Sequence, residues 1–255
     1  ERFEIIEEYK KVVESDTAKA EELKERAITI NTEIDEYRKQ YIIDHKGMLS
    51  ASLLKAMDEP EVPPMTEITD DSERKSARYN YYCKHYFDNI DLSDDRMLRT
   101  PVLYGRLDNY LSKTIVQTPD SLTRAADFLM AATGDNELMF RYMLNYITQS
   151  YSPKKDKAQI MCLDEIPYHM YKNYFLQDSR VDWISDSTRK LIEEEVMKTQ
   201  YNLCGDIAQE LTCKDTLGVT HPLSQIKSKY TILYFYSATC GHCKKATPKL
   251  LAMYD

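Results

Sequence analysis

The chain has 255 residues, room for one large domain or two modest ones. Hydrophobic residues make up 42% and charged residues 30%, a composition that folds around a core and has no apolar run of roughly 18 residues to span a bilayer. Acidic residues outnumber basic ones 42 to 34, and the net charge of −8 leaves no basic surplus for phosphates, which excludes nucleic acid as a partner.

The chain opens at "ERFEIIEEY", without an initiator Met or a signal-peptide pattern, which gives the expectation of an upstream segment. From Ile6 to Tyr41 apolar residues recur at steps of three and four, and only Asp16 interrupts the stripe. That spacing puts one seam along a long first helix, to be covered by another helix of the domain or by a second chain. "ESDT" (14–17) offers a cap for a second helix, but the unbroken phase favours a single one. Gly47 ends it, and a short helix follows until Pro60, Pro63 and Pro64.

Residues 72–90 read as an aromatic-rich helix and 100–117 as another. The next, 118–132, has Thr118 as N-cap and Pro119 at the first helical position. Residues 134–151 follow with Asp135 as cap, and 156–176 and 185–202 complete roughly eight helices. There are only six glycines, and Gly47, Gly134, Gly205, Gly218 and Gly241 fall at apparent breaks or turns, which also favours a mainly α first part. Of the 20 tyrosines, Tyr79, Tyr81, Tyr82 and Tyr86 share one segment, where they line either a small core or an interface. Asp94 and Asp95 in "DLSDDR" read as capping residues, and His85, His169 and His221 stand isolated in sequence.

Near residue 203 the texture changes, and a domain boundary is placed there, giving domains 1–203 and 204–255. "LTCKDTLGVTHPL" reads as a hairpin turning at Gly218, and Tyr230 to Tyr236 as a buried central strand. Cys240 and a helix from about Gly241 follow, kinked but not ended by Pro248.

Six cysteines are present. Cys83 and Cys162 lie among apolar residues and read as buried, inert thiols. Cys204 and Cys213 flank the boundary and have the option of pairing, though their spacing does not demand it. Cys240 and Cys243 form the one C-x-x-C pair, around Gly241 and His242. A structural zinc site wants four ligands, and a single pair falls short. Covalent haem wants His directly after the second cysteine, where Lys244 stands. No metal is expected. A dithiol–disulfide couple fits better than two unpaired core thiols. A strand that delivers Cys240 to the tip of a helix exposes its sulfur to unpaired N–H groups, which favour the thiolate. Cys243, three residues on, is placed to attack a mixed disulfide. His242, partly cationic beside the thiolate, favours the reduced form and tunes the couple with Gly241.

"YTILYFYSATCGHCKKATPKL" resembles the first β-α unit of the thioredoxin superfamily, with a C-G-H-C-K-K run like that of protein disulfide isomerases and an approach like that of the bacterial TlpA/ResA-like branch. "YYCKHYFDNIDLSDDRMLRTPVLYGRLDNYL" and "TPDSLTRAADFLMAA" resemble a Bacteroidetes domain of unknown function found just ahead of such domains. The resemblance implies a thiol–disulfide oxidoreductase of the cell envelope or periplasm that needs no organic cofactor, with Cys240 as nucleophile and Cys243 as resolving cysteine. Its partners would be disulfide-containing exported proteins and an upstream dithiol reductant. Thr239 replaces the Trp of many thioredoxins. The chain reaches Asp255 before the later elements of the fold, including its cis-proline loop, so an incomplete α/β thioredoxin-like domain is expected, of little activity by itself. The alternative is a helical partner-binding or self-association module with a vestigial redox end. It would work through a homo-oligomer built on the long N-terminal helix.

Overall fold

The computed structural model describes residues 2–13, 15–152, 162–207 and 209–254. They fall into two compact units, Glu1–Gly205 and Asp206–Asp255. The protein is mainly helical, with ten α-helices and one two-stranded antiparallel sheet among the described residues.

Unit 1 begins with two helices where the stripe of apolar residues predicts one: α1 (Arg2–Val12) and α2 (Thr17–Asp44). Asp16, the residue that interrupts the stripe, caps α2 by accepting the N–H of Lys19 at 3.0 Å. A carboxylate that satisfies an orphan donor is worth about 1 kcal/mol at this position, and here it defeats the continuity of the seam. The two helices then pack on each other: Ile5 is buried with Ala20 and Leu23, and the Lys19 ammonium reaches the Glu8 carboxylate at 2.8 Å. The later seam residues Ile34 and Tyr37 stay exposed.

α3 (Leu49–Ala56) and α4 (Asp71–His85) lead into a 3₁₀ turn at Asp95–Arg99. The core is built mainly by α5 (Pro101–Asn109), α6 (Pro119–Ala132), α7 (Glu137–Ser150) and α8 (Glu165–Met170). On α6 the buried residues Leu122, Ala125, Ala126, Leu129 and Met130 recur at helical spacing and form one apolar stripe. Pro119 opens that helix as predicted, and Thr118 is its cap residue, with its hydroxyl on Ser121 rather than on the backbone. α7 is capped by Asn136, not Asp135: the Asn136 side chain accepts the N–H of Met139 at 3.0 Å. α9 (Asp186–Thr199) closes the unit. Of the region 156–176, residues 156–161 lie outside the described residues, and α8 begins at Glu165.

Both α5 and α8 widen at their ends into π-helical turns, Tyr110–Thr114 and Tyr171–Phe175. In the first, the Leu111 carbonyl is taken by the Tyr151 hydroxyl at 3.0 Å and the Gln117 amide at 2.8 Å. Two Asp-x-Arg clasps fix the loops around the core. Arg96 donates to both carboxylate oxygens of Asp94 and to the Gly47 carbonyl; Arg180 does the same with Asp178 and the Gly134 carbonyl. Each clasped glycine ends a helical stretch at positive φ, 93° at Gly47 and 55° at Gly134, where a side chain is disfavoured.

Unit 2 carries β1 (Thr212–Lys214) and β2 (Thr220–Pro222), paired with Cys213 opposite His221. Gly218, at φ 80°, turns the hairpin as predicted, and the Asp215 carboxylate accepts the N–H groups of Leu217 and Val219 inside it. The predicted central strand is corrected. Residues 230–236 run without ladder partners, and Tyr230 and Phe235 are 80% and 79% exposed. The apolar run is that of a central strand, but no described strand lies beside it to supply the missing hydrogen bonds. α10 (Gly241–Tyr254) follows and continues through Pro248.

Candidate functional site

The predicted redox pair sits at the start of α10. A tight turn brings the Cys240 N–H to the Ser237 carbonyl at 3.1 Å, and the Cys240 carbonyl accepts the N–H of Lys244 at 3.1 Å as the helix begins. Cys240 therefore occupies the capping position. Its sulfur does what a serine or aspartate oxygen does there, accepting the N–H of Cys243 at 3.4 Å. Both cysteines are free thiols and half-buried. The Cys243 side chain and N–H hold the Cys240 thiol below its ordinary pKa; burial opposes them less strongly, and the His242 N–H adds a smaller lowering effect. Donors aimed at a sulfur favour its charged form.

His242 is exposed, and its backbone N–H rather than its imidazole is what reaches the Cys240 sulfur. Gly241 has open space around its α-carbon and an ordinary negative φ, so it leaves the mouth of the pair uncovered. One contributor escapes sequence reading: the Tyr234 hydroxyl donates to the Cys243 carbonyl at 3.3 Å and lies 3.2 Å from the Thr247 hydroxyl, which also donates to that carbonyl at 2.8 Å. Tyr234 thus ties the extended run to the first turns of α10. Read as one residue of a buried strand, it gave no sign of this contact.

Among the remaining cysteines, Cys162 and Cys204 differ from expectation. Cys162 is not an inert thiol: it forms a disulfide with Cys204, 42 residues away, with Cα atoms 5.6 Å apart. Cys204 therefore has no bond to Cys213, which is a free, exposed thiol in β1. The bond joins residues remote in sequence, so spacing carried no signal for it. Cys83 is half-buried against the core, as an unreactive thiol would be. Among the tyrosines of α4 and its end, Tyr86 is buried in the core and Tyr82 packs on it edge to face, whereas Tyr79 remains exposed.

Isolated histidines acquire partners. His169 lies 2.6 Å from the Asp127 carboxylate and 2.9 Å from the Asn173 amide, and the Tyr174 hydroxyl donates to the same Asp127 oxygen at 2.8 Å. This knot pins α6 to α8 and its π turn; it contains no nucleophile. Asp94 caps the 3₁₀ turn, as the sequence indicates, and is no partner of a second catalytic acid. A cavity of about 560 Å³ in unit 1 is lined by polar residues, among them Asp35, Arg38, Glu61 and His85, where Arg38 is already paired with Asp58.

The structure is similar to the crystal structure of a thioredoxin-like protein from Bacteroides caccae ATCC 43185, with a TM-score of 0.53 and 16% sequence identity over 76% of this chain. The match takes in 66% of that protein, so the present chain spans about two thirds of its length. At that identity the likeness is one of fold. It extends over far more of the chain than the second unit, 206–255, so the helical unit takes part in it. No curated protein matches the sequence. The family described as Domain of unknown function (DUF5106) matches residues 13–202, and the chain belongs to that family.

Proposed function

We propose that the protein is a thiol–disulfide oxidoreductase of the TlpA/ResA type in the bacterial cell envelope, with residues 204–255 as its thioredoxin-like part. One observation carries this reading: the Cys240 sulfur caps α10 and receives the N–H of Cys243, so its thiolate is favoured where a substrate can reach it. The Cys240 thiolate attacks one sulfur of a substrate disulfide, and the other leaves as a thiolate that takes up a proton. Cys243, deprotonated, then attacks the Cys240 sulfur, breaks the mixed disulfide and releases the second substrate thiol. The chain is left with a Cys240–Cys243 disulfide, which an upstream dithiol reductant returns to two thiols. Gly241 and His242 tune the couple. The Cys162–Cys204 disulfide supports placement in an oxidising compartment such as the envelope, where structural disulfides persist. Because residues 230–236 lack strand partners among those described, we expect single-turnover exchange rather than fast cycling.

The test is exchange with a fluorescent disulfide peptide. Cys240→Ser retains a good N-cap residue, so α10 persists while exchange falls to background. Cys243→Ser accumulates the Cys240 mixed disulfide. Unchanged exchange in both variants overturns the proposal.

A second reading, self-association or partner binding through the helical unit, is favoured by the exposed Ile28, Ile34, Tyr37 and Ile43 on α2. Sedimentation tests it: a concentration-dependent dimer lost in Ile34→Glu supports it, and a strict monomer rejects self-association.

A further inference from the structure

Of the two cysteine pairs, the closed one has the features of an exchangeable bond. Cys204 is exposed, at the last turn of unit 1, next to Gly205 with φ 85°. Cys162 is half-buried and sits at φ 72°, a left-handed conformation that costs a non-glycine residue energy unless its surroundings enforce it. The bond encloses α8, its π turn and α9, and ties the end of the unit back to the start of α8. Another tie runs alongside it, the Cys204 N–H donating to the Glu165 carboxylate at 3.2 Å.

We propose that Cys162–Cys204 is a second thiol-exchange site, a clasp opened by a dithiol of the C-x-x-C class. The attacking thiolate approaches the sulfur of the exposed residue Cys204 and forms a mixed disulfide with it. The Cys162–Cys204 bond breaks, and the Cys162 sulfur leaves as a thiolate that takes up a proton. The second thiol of the reductant, deprotonated, then attacks its own partner and frees Cys204 as a thiolate that is protonated in turn. Two electrons pass: the clasp gains two thiols and the reductant becomes a disulfide. Opening lets Cys162 leave the left-handed conformation and leaves the end of unit 1 held by the Glu165 contact. The dithiol comes from this chain's Cys240 and Cys243 or from a separate thioredoxin. The inference does not rest on the proposed function, since an external dithiol suffices.

The full-length chain with the clasp closed is incubated, without denaturant, with a reduced thioredoxin whose resolving cysteine is replaced by serine. Peptide mass mapping locates the mixed disulfide, and circular dichroism reports the fold. Capture on Cys204 with helical signal retained is the expected result. In parallel, the Cys243→Ser variant is followed for a Cys240–Cys204 link: its presence assigns the reductant to the chain itself, and thioredoxin capture alone assigns an external one. Capture on Cys162 in place of Cys204, or opening of the bond only after the helical signal is lost, overturns the proposal. If Cys240 proves inert in the peptide assay while thioredoxin is still captured on Cys204, the proposed function falls and this inference stands.

Discussion

Unit 1 and unit 2 solve opposite problems with the same chemistry. Unit 1 encloses a core of fully buried residues such as Leu107, Leu129, Phe140 and Ile147, satisfies its irregular carbonyls with side chains, and holds its two linked cysteines as a disulfide. No described residue of unit 2 is buried, and its C-x-x-C cysteines are free thiols. The difference teaches that a cysteine's role follows from what surrounds it. At the closing edge of a packed unit a pair ties the end of the unit back to the start of α8. At the tip of a helix, one sulfur of a pair faces N–H donors, which favour its thiolate.

The largest expected effect bears on the packing half of the comparison. Phe140→Ala empties a fully buried site under the Arg180 guanidinium, 3.6 Å from the ring, and should cost about 3–5 kcal/mol in denaturant unfolding. Phe235→Ala in unit 2 should stay within about 0.5 kcal/mol. Similar losses would erase the distinction between the units. Next comes the double substitution Cys162→Ser with Cys204→Ser. Releasing the enclosed loop should lower the stability of unit 1 by about 2–5 kcal/mol, while alkylation of Cys240 proceeds at its original rate.

A smaller effect is expected at the Asp-x-Arg clasps. The Arg96 and Arg180 guanidinium groups hold the Asp94 and Asp178 carboxyls below the ordinary aspartate value. Unfolded, each carboxyl titrates near about 3.9, so the stabilisation is complete above that value and is lost as pH falls through the depressed folded pKa. Acid titration of stability should therefore be less steep below that value in Asp178→Asn than in the natural chain, and identical slopes would remove the clasp from the account. The smallest effect is at α7: Asn136→Ala should cost about 1 kcal/mol, and Asp135→Ala close to nothing, by thermal unfolding.

Much of this was legible in sequence because it was local. Pro119 announced α6, Gly218 the hairpin turn, and the spacing of Cys240 and Cys243 the helix-start pair. What escaped was settled by competition or by distance. Asp16 served two templates at once, a flaw in a stripe and a cap for a new helix, and capping won. Asp135 and Asn136 are adjacent cap candidates that only geometry separates. Tyr230 to Tyr236 has the composition of a buried strand, yet a strand exists only beside another. The Cys162–Cys204 bond, the His169–Asp127 contact and the Arg180–Gly134 contact each join residues more than forty positions apart, beyond any periodicity.

The central claim is that the Cys240 sulfur is acidified by the donors at the start of α10. Its alkylation rate, followed against pH by mass mapping in the natural chain, tests this most directly. The account predicts a midpoint below the ordinary cysteine value of about 8.5. A midpoint at or above that value would contradict it.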